Sequence, residues 1–151
     1  MSKSLCFFIL FAFVFLNEDF AQWLLAMQVG GLNFVEAFNE AYSPFMWGSY
    51  LFSSIFRAIP FALLVMVVLS YTFKNNNAAK GIGWAGLVSI SIANIYGYWR
   101  ALHAFYTPEH VSSTTAISFI FIPFNSVLCG AVGGAVGYGL VRLYQGLKYH
   151  A

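Results

Sequence analysis

The chain has 151 residues, of which 60% are hydrophobic, 20% aromatic and only 8% charged. A soluble domain carries roughly 25% charged residues, so a water-facing surface could not be covered here and the bilayer must be the main solvent. The formal net charge of +2 comes from charges scattered along the chain, and with no Lys/Arg run to form a basic patch, nucleic acid is excluded as a partner.

Residues 1–16 place Lys3 before an apolar run that ends at Asn17-Glu18-Asp19. Three readings fit. In the first, the run is a short membrane helix over about 4–20 and the acids mark its outer end. In the second it is a signal peptide cut after Ala21, although Asp19 stands where a small residue is wanted. In the third the helix continues to about Val29. That would hold Glu18 and Asp19 at mid-bilayer, where each costs ~2.5–3.5 kcal/mol unless paired. Gly30-Gly31 then breaks the chain. Residues 32–42 have helical periodicity, with Phe34, Val35, Phe38 and Tyr42 on one side and Asn33, Glu36 and Glu40 on another. The segment is too short to span, so it reads as an amphipathic helix at the outer interface, ended by Ser43-Pro44.

Residues 46–73 form the next spanning candidate. Pro60 removes a helix hydrogen bond to the carbonyl of Phe56, and Ser53 and Ser54 lie close enough to serve freed backbone groups. A polar turn from Lys74 to Lys80 leads to a span over 81–106, in which Ser89, Ser91, Asn94 and Gly97 offer polar and small packing positions. The last span, 113–141, has no charged residue. Pro123 and Asn125 lie in its first half, and its second half is built from small residues. Ser126, Gly130 and Gly134 recur every fourth position, as do Gly133 and Gly137, and Ala131, Ala135 and Gly139. Such spacing lets helix backbones approach in lipid. Ser126, Gly130, Gly133, Gly134 and Gly137 are therefore expected to form a helix-packing face, within the chain or between copies.

The expected architecture is an all-α membrane protein, a small polytopic bundle of four transmembrane helices plus the amphipathic segment, in one domain over 1–151. With the N-terminus inside, the inner segments hold Lys3, Lys74, Lys80, Arg142 and Lys148, and the outer ones hold no lysine. That sorting matches the positive-inside rule and predicts a cytoplasmic C-terminus. Small size and short loops point to the bacterial inner membrane. Trp47, Tyr50, Trp99 and Tyr106 at one end and Tyr71, Trp84, Tyr138 and Tyr144 at the other form the expected aromatic belts.

Few residues offer chemistry. Arg57 lies within a span and reads either as a fixed charge paired with a carboxylate or anion, or as a side chain that snorkels outward. Arg100 and His103, three apart on one helix, share a face near its outer end. With Arg57, and with Glu18, Asp19 or Glu36, they could form a polar cluster at the outer mouth. His103 and His110 flank Pro108 and have no third ligand at metal spacing, so no metal or haem is expected. Cys6 and Cys129 lack CxxC spacing and read as small buried hydrophobes. The glycine-rich segment lacks phosphate-loop order, and no catalytic motif is present. The expectation is a non-enzymatic protein without cofactor that assembles with itself or with a larger membrane complex. The alternative is a small channel or transporter lined by the Arg57 and Arg100 cluster.

Overall fold

The computed structural model describes residues 2–42, 47–107 and 115–150. They form six helices and, among the described residues, no strand: α1 (Lys3–Phe15), α2 (Glu18–Gln28), α3 (Phe34–Tyr42), α4 (Trp47–Thr72), α5 (Asn76–His103) and α6 (Thr115–His150). Three of them, α4, α5 and α6, are long and apolar enough to cross a membrane. The α1–α2 pair meets that test only when joined, and it is bent by 63° at the break. Leu128, Val132, Val136 and Leu140 form a stripe along α6 in which each residue is more than half exposed, and α1 turns Phe7, Phe8, Leu10 and Phe11 outward. An all-helical bundle with its large apolar side chains on the outside is built for lipid contact.

Caps explain where the helices begin and end. Ser2 Oγ accepts from Leu5 N–H at 3.3 Å and starts α1. Gly31, at φ +67, lets the chain turn back after α2, so that Leu32 N–H reaches Ala26 O at 3.0 Å. Asn33 and Glu36 form a reciprocal box at the start of α3. Glu36 N–H donates to Asn33 Oδ1 at 2.9 Å and Asn33 N–H donates to Glu36 Oε2 at 3.3 Å. Asn75 Oδ1 accepts from Asn77 and Ala78 N–H, both at 3.1 Å, and opens α5.

The α5–α6 pair is the most extensive contact in the bundle. The glycine-rich face of α6 is spent there. A Cβ on Gly81 would stand 2.7 Å from Gly137 O, one on Gly133 2.8 Å from Ala85 O, and one on Gly130 2.6 Å from Ile90 Cγ1. Gly134 faces Ile82. Ser126 Oγ donates to Asn94 Oδ1 at 2.6 Å, and both residues are fully buried. All five residues of the expected packing face therefore meet α5 of the same chain.

The first helices run along α5. Leu5 lies against Gly83, and Phe8 and Trp84 rings are 5.3 Å apart, near the start of α5. Ala21 and Leu25 join a cluster with Tyr98 and Leu102, near its end. From Gly83 to Leu102 is a rise of about 29 Å, close to the hydrocarbon thickness of a bilayer.

Two expectations change. The first helix ends before the acids, at Phe15, and a second helix, α2, starts at Glu18. The last helix continues past 141 to His150 because nothing in that stretch except an isolated Gly146, which helices tolerate, opposes it. Helix α3 leaves Phe34, Val35 and Phe38 exposed and buries Ala37 and Ala41. The side chains of Trp47 and Tyr50, the Ser43-Pro44 stop and the segment with Pro108, Glu109 and His110 lie outside the described residues.

Candidate functional site

The polar centre of the bundle lies where α1 gives way to α2. A break exposes unpaired backbone groups, and in lipid these must find partners inside the protein. Asn17 supplies them on both sides. Its Oδ1 accepts from Phe20 N–H at 2.9 Å, capping α2, and its Nδ2 donates to Val14 O at 3.4 Å, the carbonyl end of α1. Asn17 itself is buried. Glu18 and Asp19 follow in the first turn of α2, where the positive end of the helix dipole favours anions.

Glu18 faces α4. Arg57 NH1 donates to Glu18 Oε2 at 2.9 Å, and Ser53 Oγ donates to Glu18 Oε1. Arg57 NH2 donates to Ser54 Oγ at 3.1 Å, and the guanidinium lies 5.4 Å from the ring centroid of Phe13. The arginine side chain is completely buried, and that of Glu18 is 21% exposed. Helix spacing explains the convergence: Ser53, Ser54 and Arg57 share a face of α4. Tyr98 of α5 and Asp19 lie within electrostatic reach of both charges. Glu18 falls thirteen residues beyond Leu5 and seven before Leu25.

Arg57 is thus a buried, carboxylate-paired charge and not a snorkelling one. Ser53 and Ser54 bond to the two members of the ion pair. Arg100 stands elsewhere: it is exposed and lines a groove between α5 and α6 with Tyr96 and Asn125. His103 is half-buried at the end of α5. What the structure assembles is Glu18 with Arg57, not a cluster of Arg57, Arg100 and His103. The signal in the sequence was an intramembrane cation with an intramembrane acid, which can only be afforded as a pair.

A second polar contact closes the acidic end of the bundle. Tyr106, beyond the end of α5, donates its hydroxyl to Glu40 Oε1 of α3 at 2.7 Å. Burial, and then the bond to Glu40, push the Tyr106 phenol up to about 12. Among the described residues no three His, Cys, Asp or Glu side chains come together as a metal site would need. Cys6 is half-buried and Cys129 exposed, both as free thiols.

Glu18 and Arg57 line none of four grooves formed among the described residues. The groove between α4 and α6 has a volume of about 490 Å³. Its walls include Leu63, Val67, Val127, Ala131 and Ala135, and Ala131 and Ala135 are exposed. Fold and ion pair together define a small all-helical bundle of membrane type with a charge pair sealed in its interior. Comparison with protein-family models, curated proteins and solved structures finds no match to this chain.

Proposed function

We propose that this chain is a non-catalytic integral membrane protein that works by receiving a partner transmembrane helix in the groove between α4 and α6. The observation that carries this is the second small-residue row of α6. Gly133 and Gly137 are covered by α5, but Ala131 and Ala135 are open to the groove, and a Cβ on Gly139 would meet nothing within 4 Å. The groove is apolar, as a lipid-facing helix would require, and small residues permit close approach.

In this reading α1 and α2 together make the first of four spans, because their contacts follow α5 across a membrane thickness. Leu5, Ile9 and Ala12 contribute to the core, the packing of a helix that is retained. The lysine-bearing end, with Lys3, Lys74, Lys80, Arg142 and Lys148, faces the cytoplasm, and α3 lies at the opposite interface. A reporter fused after Ala151 should then behave as cytoplasmic.

The experiment is site-directed crosslinking in native membranes. Cysteine or a photoreactive residue is placed at Ala131 or Ala135 in a chain with Cys6 and Cys129 replaced by serine. Adducts to a second copy or to one defined membrane subunit are expected from these positions and not from Val136, which is exposed on another face of α6 and lines a different groove. Adducts of equal yield from all three positions, or none, would refute the proposal.

A second reading is favoured by one observation. A discontinuous helix with a charged residue at its break is how secondary transporters build midplane ion sites. In that case Glu18 would carry a proton or cation, and Glu18→Gln would abolish transport while the protein still inserts.

A further inference from the structure

At the lysine-bearing end of the bundle, the first turns of α5 and the last turns of α6 enclose a groove of about 870 Å³. Lys80, Arg142 and Lys148 line it, with Asn77 and Gln145, and no acidic residue does. All three cations are exposed, and among the described residues no carboxylate pairs with any of them. The acids described are Glu18, Asp19, Glu36 and Glu40, on α2 and α3, away from this end. Arg142 is held in place by Tyr138: its Nε donates to the phenol oxygen at 3.0 Å and its guanidinium stacks 5.5 Å from the ring.

The groove does not end in water. Trp84 lines it and also lines a second groove, of about 910 Å³, which lies further along α5 and α6. That second stretch is walled by apolar side chains, Val88, Ile92, Leu128, Val132 and Val136 among them. A site with three unpaired cations at the membrane surface, beside an apolar surface groove at the depth of acyl chains, is complementary to one kind of molecule. It needs a negative headgroup attached to hydrocarbon.

We propose that this α5–α6 groove is a binding site for an anionic phospholipid of the cytoplasmic leaflet. The phosphate is held by Lys80, Arg142 and Lys148, and an acyl chain lies past Trp84 against Val88 and Val132. Basic pockets between transmembrane helices on this side of a membrane hold anionic headgroups in the same way. The proposal stands apart from the α4–α6 groove, which lies on a different face of α6 and is not lined by Trp84.

Trp84 provides the readout. The chain carries four tryptophans, so Trp23, Trp47 and Trp99 are replaced by phenylalanine. The protein is placed in vesicles of phosphatidylcholine and phosphatidylglycerol in which one lipid at a time carries brominated acyl chains. Brominated phosphatidylglycerol should quench Trp84 more strongly than brominated phosphatidylcholine at equal mole fraction. The preference should fall about fivefold for each cation removed and vanish in K80Q/R142Q/K148Q. Arg142→Lys, which keeps the charge, should keep most of it. If the triple variant does not insert, the single substitution R142Q is read in its place and should lose about fivefold. Equal quenching by the two lipids overturns the proposal, and so does a preference that survives neutralisation. Glycerol phosphate, a headgroup without tails, should not compete at millimolar concentration; if it does, the site takes soluble phosphate and not lipid.

Discussion

Removing the carboxylate of Glu18 should harm the bundle more than removing the guanidinium of Arg57, and removing both should cost less than the two single changes together. Breaking a buried ion pair by deleting one partner costs about 3–5 kcal/mol, because the remaining charge loses its counter-ion in a poor solvent. Glu18→Gln leaves a guanidinium with no exposed surface, still bonded to Ser54 and stacked on Phe13, in a fully desolvated position. Its cost should be near the middle of that range, about 4 kcal/mol. Arg57→Gln leaves a carboxylate that is 21% exposed and still accepts from Ser53. The Ser53 hydroxyl and the positive end of the α2 dipole still hold that charge, so about 2 kcal/mol is expected. In the double variant two neutral amides replace two charges and can bond to each other and to Ser53. A cost of about 3 kcal/mol then gives a coupling of about 3 kcal/mol in the cycle. The measurement is reversible unfolding in mixed micelles of mild detergent and dodecyl sulfate, followed by tryptophan emission. Single costs that simply add, with coupling under about 0.5 kcal/mol, would show that the two charges do not support one another and would undo the account of the site.

Three further outcomes can be checked in the same system. Gly137→Leu should separate α5 from α6 and cost about 1–3 kcal/mol or more, because the new side chain meets the backbone of Gly81, while Gly139→Leu should change stability by less than about 0.5 kcal/mol in detergent. Asn17→Ala removes the cap of α2 and the donor to Val14 O, and should cost about 1–2 kcal/mol with helix content nearly unchanged. Tyr106 should ionise only as the pH approaches about 12, against the ordinary 10. Because its folded value is raised, the neutral phenol stabilises the closed end fully below pH 10, and that contribution is lost as the pH rises through 12. Phenolate absorbance of the wild type minus that of Tyr106→Phe reads this directly, and ionisation at the ordinary value would show that the bond to Glu40 does not form.

The sequence announced lipid as the solvent through the 8% of charged residues and the uncharged run before Arg142. The four-residue spacing of Gly130, Gly134 and their neighbours announced close helix packing, and α5 proves to be the partner. Arg57 stood out as a cation without water nearby. What could not be read was which carboxylate would meet it, since Glu18 is thirty-nine positions away and pairs only because α1 and α2 bend at one point. The bend was hidden because Asn17 can end a helix, cap one or sit in a loop, and the choice depends on partners from the whole bundle. Arg100 misled for a related reason. Shared helix ends suggested a shared site, but Tyr98 and Leu102 take the inward face of α5 and leave Arg100 on the side toward α6.

The helix break and the ion pair are best understood as one device. A charge inside a bilayer is expensive, and so is an interruption of helical backbone, for the same reason: polar groups lose water and gain nothing from hydrocarbon. Placed apart, each would need its own set of buried partners. Placed together, they share them. The break frees N–H groups at the start of α2, which Asn17 caps, and the dipole of the same turn favours the carboxylates of Glu18 and Asp19. The carboxylate of Glu18 then offsets the charge of Arg57, and each of the two serines one turn earlier on α4 bonds to one of the groups. The guanidinium of Arg57 itself has no exposed surface at all. The pair joins the start of α2 to the middle of α4, beside the end of α1, so the break and the charges fix one another in place.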